Sequence, residues 1–194
     1  MSAGERMTDI RVELLEIYGE RAARRYGLSD VTQLQHALQA ALNAEKAGEP
    51  PAIIVASLLH DLGHMIHELG TDYLERGVND THEDRGAAWL ARWFGPEVSE
   101  PVRLHVPAKR YLCTVEGHYE QLARDSRRSL ELQGGNMTDQ EVAAFQHEAH
   151  RDAAIRVRRY DDTAKTPTAA TPPFEYFLEK YVEPLVSASS PAGS

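Results

Sequence analysis

Apolar positions recur at helical spacing along most of the chain, and no run alternates in the manner of a strand pair. Residues 9–25 repeat Ile10, Leu14, Ile17 and Tyr18, and Gly27 supplies a stop. Ser29 or Asp30 can cap a second helix over 31–47, whose core side carries Leu34, Ala37, Leu38, Ala41 and Leu42. Gly48-Glu49-Pro50-Pro51 ends it, and Pro51 can open a third helix. That stretch, 52–66, is apolar on nearly every side and is predicted to be the central, most buried helix. An irregular segment over 69–81 precedes a helix over 83–94 and a short one over 97–105 that stops before Pro107. The 106–136 stretch is mixed and ends in the turn signal Gly134-Gly135-Asn136. Thr138 and Glu141 read as a capping box for one long helix reaching Tyr160. A Pro/Thr/Ala linker over 166–173 leads to a last helix over 174–185. The expectation is all-α: a single domain over 1–194, with disordered tails at about 1–8 and 187–194.

Composition narrows the function classes. A formal charge of -9 argues against general nucleic-acid binding. The charge is uneven: residues 103–160 carry ten Lys/Arg against eight Asp/Glu, the remainder eleven against twenty-two. Such asymmetry suits a local anion pocket in an acidic protein, although ordinary helix-surface charge produces it too. Cys113 stands alone, so no internal disulfide forms; no apolar run spans a bilayer, and the first residues lack a signal-peptide core. A cytoplasmic protein with no membrane partner is expected.

The feature that changes the picture is His60-Asp61, at the end of the apolar run 53–59. A charged pair in a core is costly unless compensated, and a metal ion is the usual compensation. His36, His82, His105 and Asp161 lie on other predicted segments, roughly one histidine per helix followed by a late acid. Nitrogen and oxygen ligands without thiolate suit iron, manganese or another borderline-to-hard cation rather than a structural zinc. His64 shares a helix face with His60 and is either a ligand or its neighbour, while His67 reads as surface. His118, His147 and His150 have no such context.

The order His36, His60-Asp61, His82, His105, Asp161, with Leu58-Leu59-His60-Asp61-Leu62-Gly63-His64 at its centre, resembles the HD-domain superfamily of all-helical metalloenzymes. That resemblance implies a helical bundle around a buried dinuclear site. Most of the superfamily hydrolyses phosphate esters, but several stretches are similar to its phosphonate-cleaving, mixed-valent diiron oxygenases. Tyr26-Gly27 lies ten residues before His36, where that family has a tyrosine that ligates iron until substrate enters. His105 to Leu112 resembles its stretch holding the last histidine ligand and a phosphonate-binding lysine, here Lys109. Ser126, Ser129 and Gln133 fall in a stretch similar to its anion-binding segment, and Arg158-Arg159-Tyr160-Asp161-Asp162 matches its closing pattern. The chemistry agrees: Arg158 and Lys109 offer charge-assisted hydrogen bonds to a phosphonate, and Arg158 shares a helix face with Asp161. Asp162 competes with Asp161 as the ligand.

What the resemblance implies is oxidative carbon–phosphorus cleavage by an Fe(II)/Fe(III) pair with dioxygen as cosubstrate. His36, His60, Asp61 and Asp161 would hold one iron and Asp61, His82 and His105 the other, with Tyr26 displaced by substrate and His64 orienting it. Where the family's enzyme for 2-amino-1-hydroxyethylphosphonate has a glutamate, this chain has Ser29. A quaternary ammonium prefers aromatic faces to a paired carboxylate. The expected substrate is therefore (R)-1-hydroxy-2-(trimethylammonio)ethylphosphonate, giving glycine betaine and phosphate, ahead of the primary amine, which would give glycine. Tyr73, Trp89, Tyr111, Tyr119 and Tyr160 are the candidate aromatic contacts. Rival readings are a metal-dependent phosphohydrolase and a non-catalytic metal-binding module.

Overall fold

A computed structural model describes residues 2–21, 31–66 and 76–188. Helix α1 runs Ala3–Glu16 and widens into a π turn over Ile17–Arg21. Ser2 and Glu5 form a capping box, and Arg6 donates to the carbonyls of Arg92 and Trp93. Residues 3–8, expected as part of a loose tail, are thus helical and tied to the body of the protein. Helix α2, Gln33–Lys46, is capped by Thr32 with Gln35 as its reciprocal partner, rather than by Ser29 or Asp30. Helix α3, Pro51–Leu59, opens on Pro51 as expected and is buried from Ile53 onward.

Three predicted spans differ from the structure. The helix expected over 52–66 breaks at His60–Leu62, where i→i−3 backbone bonds tighten the chain before the short α4, Gly63–Ile66. After α5, His82–Leu90, the chain does not stop before Pro107: α6 runs unbroken over Pro96–Val115 with Pro101 and Pro107 inside. A proline inside a helix costs about 3 kcal/mol. Packing of α6 against α3, α5 and the later α9 outweighs that. Continuity through Pro107 sets His105 and Lys109 four residues apart on one face. A 3₁₀ turn, His118–Gln121, and α7, Arg124–Leu132, fill the stretch that read as mixed.

The third difference is the long helix expected over 138–160. It is two helices, α8 (Asp139–Gln146) and α9 (Arg151–Thr163), the first starting at the predicted Thr138–Glu141 capping box. Arg151 donates to the Gln146 carbonyl, so a side chain replaces the next helical bond and the chain turns there. His147 and His150 lie in or beside this turn and share no helix face. The C-terminal segment comprises α10, Phe174–Phe177, a π turn over Leu178–Val182, and α11, Glu183–Ala188.

The architecture is all-α. The main core joins α3 to Ile10, Leu14 and Tyr18 of the N-terminal segment and to Phe174, Phe177 and Leu178 of the C-terminal one. The Tyr18 hydroxyl donates to the Leu58 carbonyl and its ring stacks on Phe174, so the turn at the end of α3 is clamped from outside. Leu104 and Ala108 of α6 pack on Phe145 and Ala154, closing the far side of that helix. Among the described residues no helix is long and apolar enough to cross a membrane.

Candidate metal centre and anion pocket

Helices α2, α5, α6 and α9 and the turn after α3 each deliver side chains to one buried point. His36, His60, Asp61, His82, His105 and Asp161 are all at most 4 % exposed there. Their arrangement follows from the hydrogen bonds behind them. His36 Nδ1 lies 2.9 Å from the Ala164 carbonyl, His60 Nδ1 2.9 Å from the Ser57 carbonyl, and His105 Nδ1 2.6 Å from the Val102 carbonyl. His82 Nδ1 lies 3.0 Å from Asp80 Oδ1. Each partner is an acceptor, so each Nδ1 carries a hydrogen and Nε2 is the ring nitrogen left to meet a ligand.

Those Nε2 atoms face one another in pairs. His36 and His60 stand 3.1 Å apart, His82 and His105 3.2 Å apart. Opposed lone pairs repel unless a cation lies between them. Burial pushes His60 and His105 below the ordinary histidine value, while at His82 burial is outweighed by the bond to Asp80 and the charges of nearby carboxylates, which hold it above that value. Asp61 sits between the pairs. Its Oδ2 is 3.5 Å from His36 Nε2, while Oδ1 is 3.5, 3.6 and 3.8 Å from the Nε2 atoms of His60, His82 and His105. Asp161 Oδ1 is 3.2 Å from His36 Nε2. Asp61 Oδ2 and Asp161 Oδ1 are buried and accept no well-formed hydrogen bond. Burial would raise both carboxyls, but the surrounding histidines hold Asp61 down, and Arg158 and Lys165 hold Asp161 down. Ionised oxygens beside facing imidazole nitrogens, with Lys165 near only one of them, are a donor set that fits cations on either side of Asp61.

Among the described residues, two clusters have donor atoms close enough to hold an ion: His36, His60 and Asp161, and Asp61, His64 and His82. His64 stacks on His82 with ring centroids 3.7 Å apart, and its Nδ1 is 2.5 Å from Asp80 Oδ2. Asp80 therefore holds two imidazoles at once, a role that sequence reading missed because it fell in a segment read as irregular. The Asp-x-His spacing of Asp80 and His82 was the available signal. Between them Thr81 adopts φ 47°, a left-handed conformation rare for a β-branched residue. Gly63 is equally constrained: a Cβ there would stand 1.9 Å from the His82 carbonyl oxygen.

A cavity opens beside this centre, and Asp61, His64, His82, His105 and Asp161 form part of its wall. The adjoining wall carries Lys109, Ser126, Ser129, Gln133 and Arg158. Lys109 is buried and donates to Ser129 Oγ at 2.9 Å. Its burial, reinforced by Arg158, pushes the ammonium down to about 7. Gln133 Oε1 is buried without a hydrogen-bond partner. Lys165, absent from the sequence reading, adds a cation 3.1 Å from Ser126 Oγ and 3.3 Å from Asp161 Oδ1. Lys109, Arg158, Ser126 and Ser129 on the wall, with Lys165 behind Ser126, supply the kinds of donor an anion would need.

Other candidates stand elsewhere. Asp162 is turned from the imidazoles toward Arg158 and His118. Tyr26, Ser29, His67 and Tyr73 lie outside the described residues. Trp89 packs beside Trp93, Tyr111 against Phe145, Tyr119 beneath Arg127, and Tyr160 bonds Glu49, so none of these rings is a described part of the cavity wall. The quaternary-ammonium contact expected from them is not made by these four.

The HD domain family model matches residues 34–156, which contain five of the six clustered residues. Hydroxymethylphosphonate dioxygenase of Gimesia maris is 43% identical over 181 residues, 91% of this chain and 87% of that protein. The glycine-betaine-forming [1-hydroxy-2-(trimethylamino)ethyl]phosphonate dioxygenase of Leisingera caerulea is 38% identical over 162 residues, 83% of each chain. An uncharacterized protein of Acanthamoeba polyphaga mimivirus is 30% identical over 91% of this chain and 82% of its own.

Proposed function

This chain belongs to the HD-domain family, and we propose that it cleaves the carbon–phosphorus bond of a 1-hydroxyphosphonate oxidatively, with two irons and dioxygen. The observation that carries the reading is the juxtaposition of paired imidazole lone pairs around Asp61 with an anion wall of Lys109, Arg158, Ser126 and Ser129. His36, His60, Asp61 and Asp161 would hold one metal and Asp61, His82 and His105 the other. Bound iron would supply the redox chemistry toward dioxygen that the side chains lack.

The chain's own groups account for binding and orientation. Lys109 and Arg158 take the phosphonate oxygens, with Ser126, Ser129 and Gln133 completing the hydrogen bonds. An anion held there has its C1 end toward the His/Asp cluster, since both sets of residues share one cavity. His64, steadied by Asp80, is suited to hold the 1-hydroxyl or its oxygen. By resemblance alone, Tyr26 would be a further residue that holds the metal. For hydroxymethylphosphonate the balance closes with one dioxygen: one oxygen atom enters the carboxylate product, formate, the other enters phosphate, and no external reductant is needed.

Two substrates deserve comparison because the relatives' names differ in what C1 carries. Away from the cations, the described wall carries Gln33, Val78, Asn79, Val106 and Leu132. The 43% identity to the hydroxymethylphosphonate dioxygenase supports hydroxymethylphosphonate as the first substrate to test. Ser29, in place of the acid that would meet a primary amine, supports the N-trimethyl substrate as the second reading. The test is phosphate release from iron-loaded protein with each substrate, in air and in an anaerobic cuvette. Oxygen-dependent release is expected, faster with hydroxymethylphosphonate. Release that continues without oxygen would make the protein a hydrolase instead.

A further inference from the structure

We propose that His118 and Asp162 are positioning residues that lock the Arg158 guanidinium in the orientation from which it takes a phosphonate oxygen. The proposal rests on the phosphonate reading of the cavity and adds two residues that do not line it. Asp162 faces the Nε–Nη2 edge of Arg158 with both oxygens: Oδ2 accepts from Nε at 3.1 Å, and Oδ1 accepts from Nη2. This is the bidentate fork that fixes a guanidinium plane. The opposite nitrogen, Nη1, then points to Asp161 Oδ2 at 2.5 Å, which is the side of the metal cluster and the cavity. Asp162 is itself held. His118 Nε2, in the 3₁₀ turn between α6 and α7, lies 3.0 Å from the same Oδ2 that accepts from Nε.

The chain His118–Asp162–Arg158–Asp161 therefore runs from a turn beside α7 to the metal cluster. Its members are nearly all buried: Arg158 is 3 % exposed and His118 7 %. Buried charges in one network are oriented strongly, since a misaligned partner leaves an uncompensated charge in a dry site. Asp162 is one residue from Asp161, yet helical geometry turns it about 100° away. Adjacent acids on α9 thus serve different ends, Asp161 facing the imidazoles and Asp162 the guanidinium. Arg158 has four other rotatable bonds in its side chain. Without the fork the Nε–Nη2 edge loses its two carboxylate acceptors, and Nη1 loses its fixed aim.

The test uses iron-loaded holoenzyme and methylphosphonate, which carries the anion but lacks the 1-hydroxyl to be oxidised. Affinity is measured by calorimetry, metal by elemental analysis, and turnover separately. Asp162→Asn should keep its metal and weaken methylphosphonate binding about 10-fold, the size expected for a charge-assisted hydrogen bond. It should raise KM more than it lowers kcat. His118→Leu should weaken binding in the same sense, while His118→Gln, which retains a donor at similar reach, should restore most of it. In an Arg158→Ala background, Asp162→Asn should have no further effect on affinity, because the residue acts through the arginine. A merely structural role would leave the effect additive, and additivity overturns the proposal. So does unchanged affinity in Asp162→Asn, or metal loss in step with affinity. If Asp162→Asn fails to fold, the His118→Leu and His118→Gln pair decides by the same affinity criterion. Parent enzyme that binds no methylphosphonate would remove the phosphonate reading and this proposal together; parent binding with unaffected variants would remove this proposal alone.

Discussion

Gly63→Ala is the sharpest perturbation of the metal centre that touches no proposed ligand. Gly63 is not among the positive-φ glycines, so its backbone conformation is open to alanine and only space forbids it. A Cβ would stand 1.9 Å from the His82 oxygen, 2.6 Å from its carbonyl carbon and 2.8 Å from its Cα. Ordinary contact begins at 3.4 Å, so the two backbones must separate by about 1.5 Å. Metal sites tolerate departures of about 0.2 Å in ligand distance. His82 Nε2, now 3.2 Å from His105 Nε2 and 3.6 Å from Asp61 Oδ1, cannot follow such a shift and remain in place. On the proposed two-metal reading, metal held by His82 and His105 should be lost while the His36–His60–Asp161 side keeps its own, so metal content should fall from about two per chain to about one. Overpacking costs about 1–3 kcal/mol and backbone against backbone leaves little room for relaxation. Intrinsic helix propensity has the opposite sign, favouring alanine by about 1 kcal/mol. Elemental analysis and thermal unfolding read both effects. Two metals retained with an unchanged or higher Tm would refute the argument, because propensity would then have won over the contact. Gly86→Ala, whose Cβ would meet Gly63 N at 3.3 Å, should show a much weaker version of the same loss.

Asp61→Ala should lose both metals together, since its two oxygens face the two imidazole pairs; full metal content in that variant would disprove the bridge, and His147→Ala, in an exposed turn, should leave metal unchanged. Asp80→Asn should weaken metal binding on the His82 side about 10–100-fold, because it removes the carboxylate that orients His64 and His82; a chelator competition curve matching the parent would count against that. Lys109→Met should abolish methylphosphonate binding yet stabilise the metal-free protein. Burial holds the folded lysine at about 7, below the unfolded value near ~10.4, so between those values the unfolded chain binds more protons and parent stability rises with pH. The variant's advantage in urea unfolding should therefore be large at pH 7 and shrink toward pH 10; a pH-independent difference would contradict the assignment.

Much of this protein is legible along the chain. The apolar run 53–59 announced the central helix, Pro51 its start, and Thr138 with Glu141 the start of α8. These signals are local, because a helix satisfies its backbone within its own segment and caps act across three residues. The six clustered residues were also legible in the sequence, His60-Asp61 by its place after an apolar run and the other four by their order along the chain and the family resemblance. Their chemistry was not. That His36 meets His60 through Nε2, and His82 meets His105 likewise, depends on carbonyls and a carboxylate behind each ring.

Where local rules failed, packing had overruled them. Pro107 should have ended α6, but the helix is held on several sides and continues, which brings Lys109 to the cavity with His105. The span over 138–160 had no glycine or proline to mark its break, and Arg151 supplied the break through a side chain. Asp80, His118 and Lys165 are ordinary polar residues in sequence, and Asp162 reads there only as a rival of Asp161. They acquire roles because the fold wholly or partly buries them beside charges that need partners. Sequence determined the helices and the stock of reactive groups, since both depend on residues a few positions apart. Tertiary structure alone decided which groups meet, because contact between α2, α3, α5, α6 and α9 is set by the packing of whole helix faces. An unpaired charge in that dry interior costs too much for any other arrangement to persist.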